Sequence, residues 1–143
     1  MSSRELDNLV RTGALKKEAG DQAEFDGLVA LARAKLSDVV NYKLSDESQF
    51  TLAYDAAHAL SLAAMRWNGY RPSNARYAVF QSLPHTLSLG SEIWRPLDKA
   101  HTFRNLAEYE GSFRTDRQLQ SDLVKSTKVV LAAVERLGPI SKK

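Results

Sequence analysis

DESQFTLAYDAAHALSLAAMRWNGYRP, residues 46 to 72, is the stretch that decides the fold. Phe50, Tyr54, Ala57, Leu60, Ala64 and Trp67 recur at intervals of three and four residues, the period that gathers side chains on one face of an α-helix. The alanines between them leave room for neighbouring helices to come close. The helix has a stop signal as well: Gly69 can take a left-handed cap, and Pro72 lies just beyond it.

The same period extends in both directions. Upstream, DQAEFDGLVALARAKLSDVV (residues 21–40) opens with Asp21 and Glu24 in capping-box spacing and places Phe25, Leu28, Ala32, Leu36 and Val39 on a buried face. A short helix around Leu6, Leu9 and Val10 precedes it and stops at Gly13. Downstream, Ser73 can cap a third helix carrying Tyr77, Phe80 and Leu83, which Pro84 must start, kink or end. A fourth helix is expected to begin near Pro96, a favoured first-turn residue, and to run to Gly111. In TDRQLQSDLVKSTKVVLAAVERLGP (residues 115–139), Thr115 and Gln118 form a capping box. Leu119, Leu123, Val130, Val134 and Leu137 form its stripe, and Gly138-Pro139 ends it. No run of five or more residues alternates convincingly as a strand. The expected fold is therefore all-α: an antiparallel four- to five-helix bundle with a short N-terminal helix, as a single domain over residues 1–143 without repeats or linkers.

Composition narrows the function classes. A chain of 143 residues can build one core, and 43% hydrophobic against 26% charged residues excludes the disordered regime. The net charge of +3 permits an anionic partner, but there is no basic tail. Absence of cysteine excludes disulfides, thiol catalysis and thiolate-bound zinc. MSSRELDNLV at the start has no apolar signal core, and no apolar run approaches the ~18 residues of a membrane span, so a cytoplasmic protein without a membrane partner is expected. His58, His85 and His101 share no i,i+4 pair, so no metal is expected; no glycine-rich phosphate loop appears, so no cofactor is expected either. His58, beside Asp55, reads as half-buried and hydrogen-bonded, and His85 follows Pro84 in a turn.

HTFRNLAEYEG, residues 101–111, carries the candidate chemistry. At about 100° per residue, Leu97, Ala100, His101, Arg104, Ala107 and Glu108 share one side, while Phe103, Leu106 and Glu110 fall toward the other. An arginine between alanines points into a groove or interface, its fork held by acceptors, of which Glu108 is one; the same pair also fits an ordinary i,i+4 ion pair. From Arg66 to Arg117 the basic residues are nearly all arginines, with Tyr70, Tyr77 and Trp94 interleaved. That mixture suits RNA and protein interfaces alike, and the five acidic residues of the region favour scattered surface pairing.

RNLAEY (Arg104–Tyr109), preceded by AYDAAHALSLAAMRWNGYRP with its Tyr-Asp-Ala-Ala-His-Ala run and GYRP exit, resembles the HEPN family over residues 24 to 137. These are small helical bundles of toxin–antitoxin and defence systems. The resemblance implies a bundle that dimerises through its motif helices. In active members an arginine followed four to six residues later by histidine cleaves RNA in the dimer cleft. Arg104 and Asn105 match that pattern, but the gaps land on Tyr109, Glu110 and Gly111, so the histidine is missing. A phenol titrates too high to move a 2′-hydroxyl proton well at neutral pH. His101, one turn before Arg104, is the substitute on the same side. Catalytic candidates are thus Arg104, His101 and Tyr109, and contact candidates are Arg104, Asn105, Glu108 and Tyr109. The expected partners are a second copy of the chain, RNA or nucleotide, and a cognate antitoxin or nucleotidyltransferase. The missing histidine favours a non-catalytic member, with a metal-independent endoribonuclease as the alternative.

Overall fold

The structure, a computed structural model, describes residues 4–73, 78–114 and 116–140. Helix α1 (Arg4–Arg11) leads into strand β1 (Leu15–Lys17), followed by the long helices α2 (Gln22–Asn41) and α3 (Asp46–Trp67). Strand β2 (Tyr70–Pro72) and the one-turn helices α4 (Ala78–Gln81) and α5 (Leu83–Thr86) then precede α6 (Ser91–Glu110) and α7 (Arg117–Glu135). The result is a mostly helical bundle, as the hydrophobic period implies.

Helix α3 is its axis. It packs chiefly against α2 and α7, and it also meets α4, α5 and α6. A helix surrounded in this way must be apolar on several sides, which the buried Ala53, Ala56, Ala57, Ala63, Ala64 and Met65 provide. Ser45 caps its start by accepting from the Ser48 backbone N–H, and Gly69, at φ +88°, ends it. Trp67 is half-buried, its indole N–H donating to the Gly138 carbonyl at 2.7 Å.

Side-chain ties give the helix directions. Gln49 bonds Val39 and Arg66 bonds Glu24, so α2 and α3 are antiparallel. Tyr54 reaches His101 while Phe50 touches Phe103, so α3 and α6 are antiparallel as well. Gln49 meets Gln120 and Trp67 meets Gly138, so α3 and α7, which are not sequential, run the same way.

Local departures from the sequence reading have identifiable causes. β1 and β2 form an antiparallel pair, Leu15 opposite Pro72 and Lys17 opposite Tyr70, too short to show alternation. Helix α6 begins at Ser91 instead of near Pro96, with Gly90 as a cap lacking a side-chain bond. Its first turns are held by Ile93 and Trp94, which pack on the core; this packing tolerates Pro96 inside the helix although proline cannot donate to the ladder. The expected third helix is split into α4 and α5, and Pro84 sits in the first turn of α5, with His85 after it. Asp116 caps α7 by accepting from Leu119 N–H at 2.9 Å, whereas Thr115 and Tyr77 lie outside the described residues. Asp21 caps α2 as expected, but Glu24 does not turn back to complete a capping box, because two arginines hold it elsewhere. On the same helix Val29 is buried and Leu28 only partly so. Among the described residues no helix is long and apolar enough to cross a membrane.

Candidate functional site

The motif face of α6 lies against α3 at a point where α3 contributes a fully buried tyrosine. Tyr54 is enclosed by Phe50 and Phe80, with ring centroids 6.5 Å and 5.8 Å away. Its hydroxyl is 2.8 Å from His101 Nδ1, and the Asn105 amide nitrogen is 3.0 Å from His101 Nε2. Both ring nitrogens are therefore engaged within the protein. With Asn105 donating to Nε2, the neutral imidazole carries its proton on Nδ1 and donates it to Tyr54. In that arrangement the lone pair a general base would use is occupied, and a substrate hydroxyl would have to displace the Asn105 amide.

Arg104 follows one turn later. Its guanidinium lies 5.2 Å from the Tyr54 ring centroid and 3.5 Å from Glu108 Oε1. The side chain keeps 28% of its exposure, so it is neither solvent-borne nor fully desolvated. It forms one wall of a cleft of about 400 Å³, with Glu108 beside it, Glu47 and Phe50 from α3 opposite, and Phe113 at the end. Phe50, Phe103 and Phe113 pack as a triad with centroids 5.1–5.7 Å apart and close the apolar side. The cleft thus presents one guanidinium, already shared, and two carboxylates, a poor electrostatic match for a polyanion.

The sequence candidates separate in space. His101, Arg104, Asn105 and Glu108 form one connected group with Tyr54. Tyr109 stands apart at 91% exposed, and with the exposed Leu106 it forms an apolar stretch on the outer side of α6. Gly111, where the longest family gap would put a histidine, is the left-handed C-terminal cap of the helix at φ +68°. His58 is half-buried, stacked on Tyr54 and edge-on to Phe80. Asp55 pairs with Lys35 at 3.7 Å.

Sequence reasoning missed a second polar cluster. Arg66, only 2% exposed, has its guanidinium lodged in the interior. Nε donates to Glu24 Oε1 at 2.8 Å, Nη1 to the Glu18 and Tyr70 carbonyls at 2.8 and 3.2 Å, and Nη2 to the Ala19 carbonyl at 2.9 Å. Arg71 joins from β2, contacting Glu18 Oε2 and Glu24 Oε2 at 2.9 and 2.8 Å. Burial works to raise the Glu24 carboxyl, but hydrogen bonds from Arg71 and Arg66 outweigh it and hold its pKa below the ordinary glutamate value. The sequence signal was present: Arg66 sits within the apolar run Ala63-Ala64-Met65 and Trp67. Two of the arginines that suggested an RNA surface are therefore structural, and a third, Arg95, lies 5.9 Å from the Trp94 ring.

Compared with known proteins, the chain matches no family model, no curated protein and no solved structure.

Proposed function

We propose that the chain is a non-catalytic, HEPN-like helical interaction module that works as a dimer through α6, in an RNA- or nucleotide-associated toxin–antitoxin or defence setting. The observation that carries this reading is the imidazole of His101 held at both nitrogens by Tyr54 and Asn105, which ties up the group that would have to replace the missing motif histidine. The exposed Leu106 and Tyr109 beside Asn105 supply the apolar contact a second copy needs. The carboxylates Glu47 and Glu108 flanking Arg104 weigh against RNA entering that cleft.

The second reading is a metal-independent endoribonuclease using Arg104 with His101 or Tyr109, and it draws on the one-turn separation of Arg104 and His101. Incubating the purified chain with mixed RNA, without metal and beside Arg104→Ala, separates the two. The interaction reading expects equal background in both samples, and cleavage lost in the variant overturns it. Light scattering tests the dimer: a wild-type monomer at micromolar concentration removes the α6 contact, as does a dimer that persists in Leu106→Glu/Tyr109→Glu.

A further inference from the structure

A groove of about 480 Å³ runs between α2 and α7, on a different side of α3 from the α6 cleft, and its chemistry is the reverse. The helices are tied together at one end, where Arg33 Nη2 meets Glu135 at 2.7 Å and Gln22 accepts from the Ile140 N–H at 2.8 Å. The groove lies toward the other end. There Val39 and Val40 of α2 and Val124 of α7 provide apolar walls, with Val40 54% exposed.

The rim is cationic. Arg117, Lys125 and Lys128 all line the groove, and no carboxylate does so among the described residues. Among those residues none of the three makes a salt bridge. Asp116, next to Arg117, is engaged as the α7 cap, and Asp122 accepts from Gln118 at 2.9 Å and lines a separate depression on the α6 side with Glu92, a depression that Lys125 also borders. From Arg117 to Lys128 the rim spans roughly 16 Å along the helix axis, too long for one small anion to touch both ends. Beneath it, Gln120 donates to Gln49 at 2.9 Å while its own carbonyl oxygen has no partner.

We infer that the α2–α7 groove is a docking site for an acidic, amphipathic peptide segment of a partner protein, its apolar side chains on Val39, Val40 and Val124 and its carboxylates on Arg117, Lys125 and Lys128. The combination of aliphatic walls and cationic rim selects this occupant. Single-stranded nucleic acid would meet the same charges but find no aromatic ring to stack on among the described lining residues. An amphipathic helix laid along a groove uses both features at once.

The test uses fluorescence anisotropy on the full chain with three labelled probes. One is a synthetic acidic amphipathic peptide of about 15 residues, enough to exceed the rim. The others are the same peptide with its leucines replaced by serine and a single-stranded RNA of similar length. The amphipathic peptide is expected to bind most tightly. Lys125→Glu/Lys128→Glu and, separately, Val40→Ser should each weaken it, the charge reversal by about tenfold or more. Arg104→Ala, in the other cleft, should leave it unchanged. Far-ultraviolet circular dichroism confirms that these exposed-site variants stay folded. No binding of the amphipathic peptide, equal binding of the serine peptide or of RNA, or indifference to both groove variants each overturns the inference. None of these results bears on dimerisation through α6.

Discussion

Arg66 and Arg104 each sit on a long helix with apolar neighbours in sequence, yet they end in opposite environments. Arg66 is on the central helix, and a strap from residues 18–20 crosses its end, delivering carbonyls and a carboxylate to the guanidinium. The approach is close: a Cβ on Gly20 would lie 2.9 Å from the Arg66 carbonyl oxygen. Arg104 is on a helix with one open side, and the carboxylate that pairs with it comes from its own next turn. Apolar neighbours thus mark a buried helix face, but whether an arginine there is desolvated depends on acceptors brought from elsewhere in the chain.

The strongest way to break this contrast is to remove each guanidinium. Arg66→Met leaves Glu24 Oε1 and several carbonyls without their donor and should destabilise the fold by about 3–5 kcal/mol, read as a lower urea midpoint. Gly20→Val forces the strap away from the same site and should cost about 1–3 kcal/mol in the same assay. In the α6 group, Tyr54→Phe removes one hydrogen bond from a buried ring and should cost about 1 kcal/mol. Arg104→Ala loses a half-exposed ion pair and a ring contact and should cost less than about 1 kcal/mol. If Arg104→Ala proves as damaging as Arg66→Met, the contrast fails.

The finest test is a slope. Because the folded-state pKa of Glu24 is depressed, its contribution is fully present above the unfolded value and is lost as pH falls through the folded one. Wild-type stability should therefore decline on acidification below the ordinary glutamate range, and Glu24→Gln should decline less steeply there. Equal slopes in the two proteins would remove Glu24 as a source of the acid limb.

Much of the architecture is legible in the sequence. The spacing of Phe50, Tyr54, Ala57, Leu60 and Ala64 identified the central helix and its buried face. Gly69 and Gly111 marked the helix ends where the backbone does turn left-handed. The start of α6 was misplaced because Pro96 looked like a first-turn residue, while the packing that holds the preceding turn was invisible locally. At the candidate site, the shared face of His101, Arg104 and Glu108 followed from period alone. The Tyr54 hydroxyl that meets His101 comes from 47 residues away, and no spacing rule reports that.

By itself, then, the sequence determined the helical period, several helix ends and the one-sided placement of the motif residues, because each depends on interactions within a turn or two of helix. The tertiary structure alone decided that Arg66 is desolvated, that Leu15–Lys17 pairs with Tyr70–Pro72, and that α2 and α7 flank a cationic groove. Those outcomes arise between residues tens of positions apart, whose acceptors and walls exist only once the helices have packed.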